Sequence, residues 1–220
     1  MYESVSKFRH APPALFDELK KPVHYQKNAT AWFFDKVGSG SRWLLSNMAG
    51  KMPIYWPLDK IDKNLWNSSE QLYQSSKYGS EVSCLPANAK SKKNPYVRQR
   101  IRADNTPRGA KATQKCAENK GLVRKGWADA ETEVRIQAML WVLELKLYWN
   151  QSTFGEKLMA TGNLPIVEIS TKDDFWGCKE VSAGCLVGLN VLGKLLMDVR
   201  SRMDMVKRGQ FTYPNGWLLP

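Results

Sequence analysis

Apolar positions recur with helical spacing in two long segments of the chain. Between residues 129 and 149 they follow i, i+4 and i+7 spacing and cover most of the circumference, which predicts a central core helix. A second apolar stripe predicts a helix over residues 190–207 that ends at Gly209. The two segments together predict a core built mainly from helices.

Two capping boxes predict shorter helices. Asn67 with Glu70 three residues later begins one that runs to about residue 78. Thr153 with Glu156 begins another that ends at Gly162. Both predictions rest on side-chain oxygens that accept hydrogen bonds from the first backbone amides of a helix.

Short β-branched and aromatic runs predict a few strands, at residues 32–34, 43–45, 54–56 and 165–170. Residues 1–30 are interrupted by prolines and sustain no apolar period, so they are predicted to form an N-terminal arm. One domain is predicted over residues 31–220. The expected fold class is therefore α+β, dominated by helices, with a few short strands.

The charge of the chain is strongly basic. Lys and Arg number 33 and Asp and Glu number 21, which gives a formal net charge of +12. A positive field of this size attracts polyanions, and nucleic acid is the commonest of them. A merely solvated basic surface is the alternative. Residues 80–100 form a basic stretch, predicted to be a loop and a candidate for phosphate contacts.

Several classes of site and location are disfavoured by the composition. The 4 cysteines form no CxxC pair and the chain has 2 histidines, so no metal and no cofactor are predicted. No apolar run approaches the ~20 residues of a membrane span. The first residues contain no apolar signal core. The expected location is the cytoplasm, without a membrane partner.

The predicted helix over residues 67–78 has an unusual polar face. Glu70, Tyr73, Gln74 and Lys77 fall within an arc of roughly 100° at helical spacing. This face offers a carboxylate, a phenol, an amide and an ammonium group to a ligand. The alternative is that Glu70 is only the capping acid and Lys77 only a surface charge.

Two further segments combine polar or small residues with a planar ring or a helix start. Asp173 and Trp176 follow the predicted strand at 165–170, where a loop can stack a ring and offer a carboxylate. Gly188, Asn190 and Gly193 open the last helix, and free amides there can hold a phosphate. An ordinary turn and an ordinary helix start are the alternatives.

Residues 66–78 resemble the W-P-[ST]-x-E-H-Y-x-Q-x-x-K-F signature of the NADAR (YbiA-like) family. Further blocks follow in the family's order: residues 45–48 resemble F-S-N-F, 101–111 resemble I-x-x-A-x-[ST]-P-x-x-A-K, Trp127 precedes the core helix, 167–177 resemble L-V-E-x-[ST]-x-x-D-x-[FY]-W-G, and 188–200 resemble G-x-N-x-L-G-x-L-L-M-x-[VL]-R. The chain departs from the pattern at Gln71 and Leu72, where many members have His-Tyr.

The resemblance implies a hydrolase of N-glycosidic bonds to ribose. Glu70 would then be the main carboxylate, which stabilises the cationic sugar. Lys77 would protonate the leaving nitrogen or attack the opened sugar to form a Schiff base. Asp173 would hold ribose hydroxyls or orient Lys77. Trp127 and Trp176 would stack a base, and the other substrate-binding residues would be Ser46, Asn47, Tyr73, Gln74, Thr106, Lys111, Gly188, Asn190 and Gly193.

Members of this family act on two kinds of substrate. Some are similar to an enzyme acting on ribosylamino intermediates of riboflavin synthesis, and others remove ADP-ribose from guanine in DNA as antitoxins of DNA ADP-ribosyltransferase toxins. The net charge of +12 favours the DNA adduct, because a polycationic surface contacts several phosphates. A module that binds ADP-ribose or nucleic acid without cleaving it is the remaining alternative.

Overall fold

A computed structural model describes residues 13–35, 41–56, 65–78, 97–116, 122–124, 126–127 and 133–212. The helices are α1 Pro13–Leu19, α2 Ser69–Ser75, α3 Val97–Ala103, α4 Pro107–Lys115, α5 Val134–Trp149, α6 Glu156–Met159, α7 Val191–Ser201 and α8 Met203–Lys207, with a 3-10 helix at Ser41–Leu45 and a π-helical turn at Gln151–Gly155. The strands are β1 Val23–Gln26, β2 Trp32–Asp35, β3 Ile54–Tyr55, β4 Leu65–Trp66, β5 Ile166–Ile169, β6 Lys179–Ser182 and β7 Cys185–Gly188. The predicted helix-dominated α+β class is confirmed.

The central helix of the fold is α5, as its apolar circumference predicts. It packs against α2, α7 and α8, and every residue from Ala138 to Leu147 is buried. Trp141 lies fully inside this core, with its ring 5.2 Å from that of Trp56. Residue 129, the predicted start, lies outside the described residues, and the predicted end at Trp149 is confirmed.

In the described part of the chain, three small sheets accompany this helical core. The strands β1, β7 and β6 form an antiparallel sheet, β3 pairs antiparallel with β4, and β2 pairs in parallel with β5. The first turn of α7 packs on β5 at Gly193, where a Cβ atom would lie 2.1 Å from the Ile166 carbonyl oxygen. Only glycine permits this close approach, which fixes the position of α7 against the sheet.

The N-terminal segment differs from the predicted arm. Residues 13–26 form α1 and β1, which belong to the domain: Phe16 and Leu19 enter the main core, and β1 pairs with β7. Lys194 of α7 also donates hydrogen bonds from Nζ to the carbonyl oxygens of Glu18 (2.8 Å) and Lys21 (2.5 Å). Sequence periodicity missed these elements because both are shorter than eight residues.

Other local predictions are corrected by the backbone. The aromatic run at 43–45 lies in a 3-10 helix, and Arg98 and Arg100 lie in α3 instead of a loop. Thr153 caps no helix, because it lies within the π-helical turn. The helix predicted over 190–207 is interrupted at Arg202. The strand at 165–170 and the stop at Gly209, whose φ is +76°, are confirmed. Lys90, Lys92 and Lys93 lie outside the described residues.

Candidate active site

The helix α2 begins one residue later than the capping box predicts. Ser68 is its N-cap, with Oγ accepting a hydrogen bond from the Gln71 amide at 3.2 Å. Gln71 occupies the N3 position, and its Oε1 accepts from the Asn67 amide at 2.7 Å. Glu70 therefore has no capping role, and the interpretation of it as the capping acid is wrong. The helix ends at Ser75, before the predicted residue 78.

Two neighbouring segments hold α2 in place. The Asn47 carbonyl oxygen accepts hydrogen bonds from Ser69 Oγ (3.1 Å) and from the Glu70 amide (3.2 Å). On the other side, Gln71 Nε2 donates to the Asp104 carbonyl oxygen. All seven residues of the helix are buried as a result. The departure from the family pattern at Gln71 therefore serves to anchor the helix.

A cavity of about 270 Å³ lies over the polar face of α2. Its walls bring together Glu70, Lys77 and Asp173, the three residues predicted to perform the chemistry. The same cavity is lined by most of the predicted substrate-binding residues, namely Ser46, Asn47, Tyr73, Gln74, Lys111, Trp127 and Trp176. A helix face, the turn after β5 and the turn after the 3-10 helix thus converge on one space.

Glu70 lies deep in this cavity and is 5% exposed. Its Oε1 accepts a hydrogen bond from Gln74 Nε2 at 2.7 Å and lies 4.0 Å from Lys111 Nζ. Gln74 Oε1 and Asn47 Oδ1 are buried and have no hydrogen-bond partner among the described residues. Because buried polar atoms are normally paired, these two oxygens offer acceptors to hydroxyl or amino groups that enter the cavity.

The ammonium group of Lys77 is shifted towards its neutral form. The pKa of Lys77 is lowered to about 8, chiefly by burial and also by the charges of Lys111 and Lys115, while the negative charge of Glu70 opposes the shift. The Nζ atom lies 5.9 Å from the centroid of the Tyr73 ring. Roughly a tenth of this amine is thus unprotonated at pH 7, far more than for an ordinary lysine, and the neutral amine is the form that a nucleophilic lysine requires.

Three aromatic rings form one wall of the cavity. Tyr73 lies between Trp127, at 5.4 Å between ring centroids, and Trp176, at 5.7 Å. Burial, followed by the negative charge of Glu70, raises the pKa of Tyr73, so its phenol stays protonated. The wall therefore offers flat apolar surface to a planar ligand.

Asp173 has a structural contact as well as a place in the cavity wall. Its Oδ1 accepts hydrogen bonds from the amides of Phe175 (3.1 Å) and Trp176 (3.0 Å). This turn presents Trp176 to the cavity. Arg135 of α5 also lines the cavity. Its guanidinium lies 3.7 Å from the centroid of the Phe175 ring, so α5 packs against this turn.

The start of α7 does not provide the predicted phosphate site. The amides of Asn190, Val191 and Leu192 donate to the carbonyl oxygens of the turn at residues 175–177, so these amides are already engaged. Asn190 is fully buried, and its side chain bonds to the backbone of β5. At Gly188 a Cβ atom would lie 2.3 Å from the Gly177 carbonyl oxygen. Gly188 and Asn190 hold the turn, and they lie outside the cavity lining together with Gly193.

Thr106 also lies outside the cavity lining. It is the N-cap of α4, with Oγ1 accepting a hydrogen bond from the Gly109 amide at 3.0 Å. The helix that it begins carries Lys111 into the cavity wall. Thr106 therefore contributes to the site by fixing the start of α4.

Seven further residues line the cavity, and the sequence-based prediction of the site did not include them: Met48, Gln114, Lys115, Arg135, Met139, Glu168 and Leu192. Lys115 follows Lys111 by one helical turn, so helical spacing on α4 would have identified it. Glu168 is a carboxylate in β5 that is 1% exposed. A charged residue in an otherwise apolar strand that leads into the Asp173 turn is the sequence signal that would have identified Glu168 as a third acidic residue of the cavity.

Two carboxylates of the cavity are buried more deeply than two of its lysines. Glu70 and Glu168 are buried in its interior, whereas the Lys111 side chain is 38% exposed and Lys115 is exposed. The interior is thus suited to a developing positive charge and the opening to an anionic group. Within the described part of the chain, no group of three or more His, Cys, Asp or Glu residues is arranged to bind a metal. None of the described helices is long and apolar enough to cross a membrane.

Residues 33–204 match the model of the NADAR domain. The chain belongs to the NADAR family. It is 30% identical over 145 residues to an N-glycosidase of Nostoc punctiforme, covering 65% of this chain and 78% of that protein. It is 26% identical over 152 residues to the N-glycosidase YbiA of Escherichia coli, covering 69% of this chain and 79% of that protein.

Two further comparisons concern the fold and a longer relative. The NMR structure of Escherichia coli YbiA matches with a TM-score of 0.54 and 25% identity, over 80% of this chain and 87% of that one. The fold of this NADAR chain is therefore YbiA-like. A riboflavin biosynthesis protein of Vibrio vulnificus is 28% identical over 144 residues, which are 66% of this chain and 32% of that protein.

Proposed function

We propose that this NADAR chain is an N-glycosidase that removes ADP-ribose from guanine bases in DNA. The observation on which the proposal depends is the convergence of Glu70, Lys77 and Asp173 in one cavity beside an aromatic wall. The names of the relatives from Nostoc punctiforme and Escherichia coli support the coarser class, an N-glycosidase. In this proposal a DNA ADP-ribosyltransferase toxin makes the adduct, and the chain acts as its antitoxin.

The interior of the cavity supports cleavage of a carbon–nitrogen bond to ribose. Positive charge develops on the sugar carbon and ring oxygen as this bond breaks, and the carboxylate of Glu70 stabilises it. Lys77 either protonates the leaving nitrogen or, as a neutral amine, attacks C1 of the ring-opened sugar. In the second case the bond from C1 to the base nitrogen breaks, that nitrogen takes a proton from the Lys77 amine, and water then hydrolyses the Schiff base to release the sugar. Its pKa of about 8, lowered by burial, is suited to either role near neutral pH.

The opening of the cavity supports an anionic substrate. A volume of about 270 Å³ is at the lower limit of small-molecule sites, so it holds the sugar and part of a base. The phosphates then lie at the opening, where Lys111 and Lys115 present their ammonium groups. The net charge of +12 extends this attraction to the phosphates of a DNA strand.

A second candidate substrate is a ribosylamino intermediate of riboflavin synthesis. The relative from Vibrio vulnificus, named a riboflavin biosynthesis protein, favours it. Such a substrate has the same class of bond, so Glu70 and Lys77 would have the same roles. It is a small metabolite and would not use a polycationic surface beyond the cavity.

The deciding experiment is incubation of the protein with an oligonucleotide that contains ADP-ribosylated guanine. We expect released ADP-ribose and an unmodified guanine, both measured by mass spectrometry. If the protein cleaves the sugar–nitrogen bond of a ribosylamino pyrimidine phosphate but not that of the modified oligonucleotide, the proposal is contradicted and the second substrate is identified. Binding of the oligonucleotide without any release would contradict catalysis and identify a binding module.

Affinity for DNA is expected to decrease steeply with salt. Each phosphate that Lys or Arg neutralises releases a counterion, so we expect at least tenfold weaker binding of the oligonucleotide at 200 mM than at 50 mM salt. Lys115→Met should reduce the slope of log K against log salt by about one. Lys207→Met, at an exposed position on α8, is the matched control. Binding that is independent of salt would contradict the DNA substrate.

A further inference from the structure

Lys146 is a fully buried lysine that lies outside the cavity lining. It belongs to α5 and is 0% exposed. Its Nζ donates hydrogen bonds to the carbonyl oxygens of Leu44 (2.8 Å) and Ser46 (2.9 Å) and lies 4.3 Å from the centroid of the Phe154 ring. No carboxylate of the described residues forms an ion pair with it. Burial of a lysine without an acidic partner is costly, so its contacts require an explanation.

One of the carbonyl groups that Lys146 binds belongs to Ser46, whose neighbour Asn47 is hydrogen-bonded to Glu70. Ser46 and Asn47 line the cavity, and the Asn47 carbonyl oxygen accepts the hydrogen bonds of Ser69 Oγ and the Glu70 amide. A second contact from α5 supports the same turn, because Asn47 Nδ2 donates to Met139 Sδ at 2.9 Å. The turn at residues 46–47 thus connects α5 to the first residues of α2.

We propose that Lys146 is a positioning residue for catalysis: it fixes the turn at residues 46–47 and, through the Asn47 carbonyl, the place of the Glu70 carboxylate in the cavity. The inference rests on the proposed function, since it assigns Glu70 a role in bond cleavage. Lys146 itself touches no substrate. Loss of its two hydrogen bonds removes the side-chain donor from the Leu44 carbonyl and leaves the Ser46 carbonyl with the Ala49 amide, at 3.1 Å, as its remaining donor, so the turn is held less firmly.

The protonation state of Lys146 does not alter this support. Burial lowers the pKa of Lys146 to about 7. A neutral amine still has two N–H groups, which is the number that the Leu44 and Ser46 carbonyl oxygens require. In the ammonium form, the third N–H group has the Phe154 ring as a neighbour, since the ring centroid lies 4.3 Å from Nζ. The turn therefore keeps its place on both sides of neutrality.

The test compares Lys146→Met, which keeps the length of the side chain and removes the donors, with the wild-type protein. We expect kcat for release of ADP-ribose to fall at least tenfold, while KM stays within threefold of the wild-type value. Both are measured well below the melting temperature of each variant. The backbone amide resonance of Glu70, which reports its bond to the Asn47 carbonyl, should shift. Lys146→Gln keeps an amide donor on a shorter side chain and should have intermediate turnover.

Glu144→Gln is the matched control. Glu144 is also fully buried on α5, but it contacts Arg202 and Thr212, which do not line the cavity. This variant should lose stability and keep both kcat and the Glu70 resonance.

Equal losses of kcat in Lys146→Met and Glu144→Gln would overturn the proposal, as would an unshifted Glu70 resonance. Should Lys146→Met fail to fold, Lys146→Gln with turnover equal to the wild type overturns it. Wild-type protein that releases no ADP-ribose contradicts the proposed function, whereas the resonance comparison still decides the role of Lys146.

Discussion

Glu70→Gln is expected to lower kcat for N-glycosidic cleavage at least 100-fold, with KM changed less than threefold. The substitution keeps the shape of the side chain, and its amide oxygen can still accept the hydrogen bond from Gln74. It removes the negative charge that faces the developing cation, and electrostatic stabilisation of this kind contributes 10²–10³ in rate. The measurement is release of ADP-ribose from the modified oligonucleotide at saturating substrate.

Glu156→Gln is the control for Glu70→Gln, because Glu156 is an exposed glutamate at the start of α6. It should have the turnover of the wild type. A kcat for Glu70→Gln within tenfold of wild type, about 1.4 kcal/mol in activation free energy, would remove Glu70 from the mechanism. Glu168, the other buried carboxylate of the cavity, would then be the next candidate.

The extent to which the sequence predicts this molecule differs between its long and short elements. The helix α5 was predicted because its apolar positions cover sixteen residues of regular spacing. The elements α1 and β1 have seven and four residues, too few for a period to emerge. Tertiary contacts stabilise them: β1 pairs with β7, and Phe16 and Leu19 of α1 pack into the core. Their membership of the domain could not be predicted from local pattern.

In the site, the face of a helix could be predicted from the sequence, whereas the hydrogen-bond partners of backbone amides could not. The face of α2 was predicted because Glu70, Tyr73 and Lys77 obey helical spacing, even though the N-cap was displaced by one residue. The residues at the start of α7 predict a phosphate site, but the amides there are engaged by carbonyls of a turn about fifteen residues earlier in the chain. Which partner satisfies a backbone amide is a tertiary property, and the sequence contains no local signal for it.

Lys77→Arg is expected to abolish the chemistry of the amine while keeping a positive charge, and kcat should fall at least 100-fold. A guanidinium stays protonated and cannot attack the opened sugar. Reduction with borohydride during turnover should trap a covalent sugar adduct on the wild-type protein, measured by mass, and none on Lys77→Arg. Lys207→Arg, at an exposed position, should be trapped like the wild type.

The pH dependence of kcat distinguishes the two roles of Lys77. Since the pKa of Lys77 is lowered by burial to about 8, the neutral amine predominates above that pH. If Lys77 is the nucleophile, kcat rises with pH and levels off above about 8; if it donates a proton, kcat falls through the same range. We expect the rise. Lys111→Met removes a charge that lowers the pKa of Lys77, so the midpoint of the rise should move to higher pH. A fall of kcat through pH 8, without a trapped adduct, would instead assign Lys77 the role of acid.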